Sequence, residues 1–143
     1  MLLIQRHVLD ASPRPSEEQV PLRVERRMFL KRRWRATAED GMEFGFDLAG
    51  RLHPGAVIHR TDHADYVIWQ EEEPVYEICY KDAAQAALMG WKIGNLHFPV
   101  QIGEGWVRVT RDPAVTQLCG REGWAVTEVE VIFNPLRCAA HAP

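Results

Sequence analysis

Six histidines and three cysteines are the residues here with the chemistry to hold a borderline or soft metal ion. Cys79, Cys119 and Cys138 lie far apart and form no CxxC pair. Neither a zinc ribbon nor a disulfide framework is therefore indicated, and the odd number suits reduced thiols in a cytoplasmic protein. Cys79 and Cys119 fall on strand and helix patterns and are expected to be small buried apolar groups. His53, His59 and His63 fall in or beside turns. His59 and His63 are four residues apart, which on a helix would put both imidazoles on one face. Thr61, Asp62 and strand-like flanks argue against a helix there, so both read as surface loop residues. His7 has no partner in sequence. His141 follows Cys138 by three residues on a short tail, where an imidazole and a thiol can donate to a metal or simply fray.

His97 differs in its setting. Gly94-Asn95-Leu96-His97-Phe98-Pro99-Val100-Gln101 directly follows an expected helix. Gly94 is expected to allow a left-handed turn, and Asn95 to satisfy backbone groups within it. The imidazole is then presented from a tight corner between helix and strand. Taken alone, such a histidine reads first as one that merely packs or caps. Nothing else points to catalysis. There is no GxSxG, no P-loop and no HExxH, and Glu71-Glu72-Glu73 before a proline reads as a solvated linker. No enzyme activity is expected. The basic cluster Arg23, Arg26, Arg27, Lys31, Arg32, Arg33 and Arg35 offers an RNA-binding reading. The net charge of -3 and the basic blunting of exposed strand edges favour a solvated face, so nucleic acid is not expected as a partner.

The elements that must position these residues fit one ordinary domain or two small ones, in 143 residues. The balance of 46% hydrophobic and 26% charged residues is that of a folded chain. No signal peptide pattern and no apolar run long enough to span a membrane is present. The first half reads as β structure. Met28 to Ala36 is an expected strand, Asp40-Gly41 a turn, and Met42, Phe44, Phe46 and Leu48 alternate as a half-buried strand. Val57-Ile58-His59 and Tyr66 to Trp69 are further strands, and Ser12 to Ser16 is a loose loop. From Pro74 the character changes. Val75 to Cys79 reads as a strand. Asp82 with Gln85 forms a capping box before a helix that ends at Gly94. Phe98 to Ile102 and Trp106 to Thr110 form a hairpin about Gly103-Glu104-Gly105. Asp112-Pro113 opens a second helix, and Trp124 to Phe133 is the last strand. The expected fold is α+β: an N-terminal all-β domain over residues 1–73, then a ferredoxin-like βαββαβ domain over 74–143.

The block Gly90-Trp91-Lys92-Ile93-Gly94-Asn95-Leu96-His97-Phe98-Pro99-Val100-Gln101 resembles the signature of the urease accessory protein UreE family, the nickel metallochaperones. The family pattern is Gly-Asn-Arg-His, an apolar residue, proline, and a residue before glutamine; Leu96 stands where arginine is usual. Weaker likenesses follow in the same order: Arg33 and Arg35 with Asp40-Gly41, Leu52 with Pro54-Gly55, Asp112-Pro113, and Phe133-Asn134-Pro135. The resemblance implies a β domain likened to a peptide-binding module, followed by a metal-binding ferredoxin-like domain. It implies a cytoplasmic homodimer formed through the C-terminal domain, with His97 of both subunits on one Ni²⁺. It implies transfer of that nickel to the urease apoprotein through the urease-maturation GTPase. Zn²⁺ or Cu²⁺ suits the same imidazoles in vitro. Many members carry a histidine-rich tail, whereas this chain ends with only His141, so the supplementary ligand expected is His141 and storage is not expected. A peptide-binding adaptor with a structural His97 remains the alternative.

Overall fold

The computed structural model describes residues 1–137, so Cys138 and His141 lie outside the described residues. The chain divides into two units, Met1–Glu71 and Glu72–Pro143. The first unit holds β1 (Leu2–Ile4), β2 (Gln19–Val24), β3 (Arg33–Thr37), β4 (Glu43–Asp47), β5 (Val57–Arg60) and β6 (Asp65–Gln70). They form two three-stranded sheets, ordered β1-β4-β3 and β2-β6-β5. Both sheets contribute to one core, with Ile4, Leu22, Trp34, Phe44, Phe46, Ile58 and Ile68 all buried in it. Trp34 and Phe46 are cross-strand partners whose rings stack at 3.8 Å.

The Asp40-Gly41 turn joins β3 to β4 as its sequence requires. Gly41 takes φ 90°, a conformation that favours glycine, and the Asp40 carboxylate accepts from the Met42 N–H at 3.0 Å. The Tyr66 hydroxyl donates to the other Asp40 oxygen at 2.5 Å and ties the second sheet to this turn. Three expectations need correction. The run from Met28 is not all strand: Arg26–Leu30 is a 3-10 turn, and β3 starts at Arg33. The strands β1 and β2 were not legible, and both pair in parallel, β1 with β4 and β2 with β6. β2 contains Pro21, which an edge strand tolerates because its missing N–H faces away from the ladder. Third, His59 is no loop residue. It lies half-buried in β5, its ring 5.7 Å from that of Tyr66.

In the second unit β7 (Glu73–Cys79) leads to α1 (Ala83–Gly94), β8 (Val100–Gly103), β9 (Trp106–Thr110), α2 (Pro113–Glu122) and β10 (Val126–Val131). The expected β-α-β-β-α-β order is present. The strands form one antiparallel sheet ordered β10-β7-β9-β8. Both helix starts are capped by the predicted residues: Asp82 accepts from the Gln85 N–H and Asp112 from the Ala114 N–H, each at 2.8 Å. The Gln85 side chain accepts from the N–H of Lys81, one residue earlier than a standard capping box. Gly123, with φ 73°, ends α2 in the left-handed conformation.

One face of this sheet packs with Met89 and Ile93 of α1 and Val115, Leu118 and Cys119 of α2 over Ile78, Val107 and Val109. Burial pushes the Cys119 thiol up from its ordinary range, which suits an inert packing group. Cys79 departs from expectation: it is exposed, because alternation along β7 turns it to the face opposite Ile78. On that opposite face Arg108 lies over the Trp106 ring at 4.0 Å and bonds Glu77 across the strands at 2.9 Å.

Among the described residues the one buried charged side chain is Asp65, 1% exposed. Arg60 grips it through both carboxylate oxygens, at 2.6 and 2.7 Å, and Arg14 stands 3.5 Å away. The same two arginines donate to Ser12 O and Thr61 O, so this cluster pins the loop before β2 onto the β5–β6 hairpin. The hydrogen bonds from Arg60 hold the Asp65 carboxyl below its ordinary value of 3.8, against the opposing effect of burial. A carboxyl lowered in the folded state stabilises above its unfolded pKa, about 3.9, and loses that contribution as pH falls through the folded pKa. Arg60→Met should therefore cost about 3 kcal/mol at neutral pH. The difference from wild type should shrink as the pH drops below the unfolded pKa. Urea unfolding at neutral and acid pH measures both.

Candidate metal centre

α1 is apolar on two sides. Met89 and Ile93 are fully buried in the core. At helical spacing on the opposite side, Ala84, Ala87, Leu88 and Trp91 are exposed, with Leu88 at 43% and Trp91 at 66%. A helix that only had to cover its own sheet would need one such stripe. The exposed stripe runs on through Asn95 towards His97. Lys92 pairs with Glu122 and ties the end of α1 to the end of α2.

Beyond the helix the chain tightens. The Asn95 N–H donates to Trp91 O at 3.2 Å, Leu96 to Ile93 O at 3.0 Å and His97 to Gly94 O at 3.2 Å. Leu96 and Phe98 are partly buried against the core, and His97 between them is exposed. With its neighbours turned inward, the imidazole is directed outward by exclusion. The cost falls on the backbone: His97 takes φ 63°, the left-handed region. The expected left-handed residue was Gly94, but Gly94 is the last helical residue of α1 and Asn95 is also in right-handed helical conformation. A left-handed conformation costs an L-residue roughly 1–2 kcal/mol, and histidine is among the residues that tolerate it best.

His7, His53 and His63 are exposed positions of the first unit. His141 and Cys138 lie outside the described residues. Among the described residues no group of three or more histidine, cysteine, aspartate or glutamate side chains could hold a metal ion. From the turn after α1 one chain thus supplies a single imidazole, that of His97, and one imidazole makes a weak metal site. The basic cluster is no bare patch either. Arg23 pairs with Glu39, Arg27 with Glu25, and Arg32 and Arg33 both with Asp47. What the sequence pattern could have revealed is Trp91: reading α1 for two apolar stripes instead of one singles it out.

Because the strain at His97 is set by backbone conformation, it separates from the imidazole's chemistry. His97→Gly should unfold at the urea concentration of wild type or higher, since glycine accepts this φ freely. His97→Val should lose about 1–2 kcal/mol, since a β-branched residue is the worst occupant of that region. Equilibrium urea unfolding of both variants checks the assignment.

The family model described as UreE urease accessory protein, C-terminal domain, matches residues 73–143. Similar proteins named urease accessory protein UreE carry the match further. That of Brucella abortus biovar 1 (strain 9-941) is 33% identical over 140 residues, 96% of this chain and 79% of that protein. Urease accessory protein UreE 1 of Brucella suis biovar 1 (strain 1330) is 33% identical over 140 residues, 96% of this chain and 83% of that one. That of Chelativorans sp. (strain BNC1) is 29% identical over 107 residues, 73% of this chain and 68% of its own length. The second unit, its exposed turn histidine and these similarities together assign the chain to the UreE family of urease accessory proteins, which are not enzymes.

Proposed function

We propose that this protein is a nickel metallochaperone of urease maturation, acting as a cytoplasmic homodimer in which His97 of both subunits holds one Ni²⁺. The observation that carries the reading is the pairing of two features on one surface. An exposed apolar stripe with Leu88 and Trp91 leads into an exposed, strained His97. A two-fold axis beside that stripe buries the apolar side chains and turns one imidazole into two. On this reading the second unit is a ferredoxin-like metal-binding domain, and its β10-β7-β9-β8 order supports that assignment. No helix among the described residues is long and apolar enough to cross a membrane. Membership of an accessory-protein family supports the role in urease maturation, with the urease apoprotein and the urease-maturation GTPase as partners.

The chemistry suits a carrier. Nickel accepts imidazole nitrogen, as do zinc and copper, so Zn²⁺ or Cu²⁺ can occupy the same site in vitro. Two protein ligands leave coordination positions for water, for His141, or for the groups of an acceptor. An acceptor can then enter the coordination sphere before the carrier's imidazoles leave it.

Calorimetric nickel titration with a parallel measurement of mass in solution tests the proposal. About one tight Ni²⁺ per two chains is expected under the symmetric arrangement. His97→Gly should lose that site and remain a dimer. The double variant Leu88→Glu, Trp91→Glu should become monomeric, and its nickel affinity should fall by about tenfold or more with the loss of an aromatic anchor. Tight nickel binding by His97→Gly overturns the proposal. Partner capture unchanged by that variant and by nickel removal would favour the adaptor reading.

A further inference from the structure

Two residues of the sequence pattern have no part in the proposed function. Gln101 closes the block that carries His97, and Asn134 lies in the exit from the last strand. The structure joins them. β8 is an edge of the four-stranded sheet and only four residues long. It pairs with β9, Val100 with Val109 and Gln101 with Arg108. The chain's exit also returns to it. The Leu136 N–H donates to Val100 O at 2.7 Å, and the Asn134 N–H donates to Gln101 Oε1 at 3.1 Å. Val109 faces the helices and Val100 packs with it, so Gln101 points to the other face of the sheet. The exit is itself firmly held. Phe133, next to Asn134, is fully buried, and Pro135 between the two donors fixes its own φ.

This junction lies just beyond His97. A residue outside glycine's range of tolerance keeps a left-handed φ where the structure on both of its flanks over-determines it. The upstream flank is the end of α1: Leu96 and His97 donate to Ile93 O and Gly94 O, and Ile93 is fully buried. On the downstream flank Phe98 packs partly buried against the core, and Pro99 has a fixed φ and no N–H to donate. Register with β9 begins at Val100. The next fixed points after the turn are therefore Val100 and Gln101, each bonded to the exit as well. We infer that Gln101 is a positioning residue for His97: its side-chain oxygen clasps Asn134 and holds the entry of β8, and with it the left-handed turn, where the imidazole is presented. The inference rests on the proposed role of His97. It gives Gln101 no contact with the metal; it acts through the backbone that carries the ligand.

Two variants of the full chain separate the clasp from mere packing. Gln101→Met keeps the side chain's length and replaces the amide by a thioether, a poor acceptor, whereas Gln101→Glu keeps an acceptor oxygen. Mass in solution and urea unfolding verify that each is folded. The imidazole resonances of His97 in the metal-free protein, identified by their absence from His97→Gly, report on the turn. Calorimetry with Ni²⁺ alone reports on the site. Gln101→Met is expected to move or broaden those resonances and to bind nickel about tenfold more weakly, the lower end of what a lost outer-shell partner costs a metal site. Gln101→Glu is expected to match wild type in both. Resonances and affinity unchanged in Gln101→Met overturn the inference. So does an equal change in both variants, which makes the contribution of Gln101 one of amide packing. Nickel retained by His97→Gly overturns the reading of His97 as a ligand, and the metal-free resonances then decide the positioning role by themselves.

Discussion

The packing of Leu96 and Phe98, partly buried on either side of His97, is the interaction on which the candidate site depends. Both side chains pack against the core that Met89 and Ile93 of α1 share with the sheet. Successive residues cannot all turn inward in so tight a turn, and the residue between two partly buried neighbours is directed to solvent. The left-handed φ of His97 is the backbone's accommodation of that demand. Leu96 therefore has a meaning that its chemistry alone does not suggest. Where the family signature has arginine, this chain has an apolar side chain that anchors the turn from within.

What was legible in the sequence was what neighbouring residues decide. Asp82 and Asp112-Pro113 announce their helices because a cap acts within three residues. Asp40-Gly41 announces its turn because glycine's tolerance of φ 90° is a local property. What was hidden is decided at a distance. β1 is three residues long and β2 contains a proline, and each exists because a distant strand, β4 or β6, accepts it in parallel. The identity of the left-handed residue was hidden for the same reason. Glycine is the intrinsic choice, but core packing around Leu96 moved the strain onto His97. Cys79 reads as apolar strand filling until the sheet has two faces, and only then does the alternation along β7 place it outside.

The site itself was half legible. The position of His97 after a helix end was visible. The exposed apolar stripe of α1 that leads to it was not. α1 carries apolar residues around most of its circumference, and a local reading assigns them all to helix formation. Only the packed structure separates Met89 and Ile93, which serve the core, from Leu88 and Trp91, which do not. Likewise nothing near Leu136 announces that its N–H pairs with Val100, thirty-six residues earlier.

On the proposed reading, these features bear on how tightly the metal should be held. A storage site wants a full set of ligands and slow release. Here the turn after α1 offers one imidazole per chain, set in a left-handed conformation. On that reading the affinity is assembled from separable ligands, one imidazole from each subunit. Each can also be withdrawn separately by an acceptor that competes for one ligand at a time. A step that breaks one metal–imidazole bond faces a lower barrier than one that must break several together, and a carrier assembled from separable ligands passes on its ion by that route.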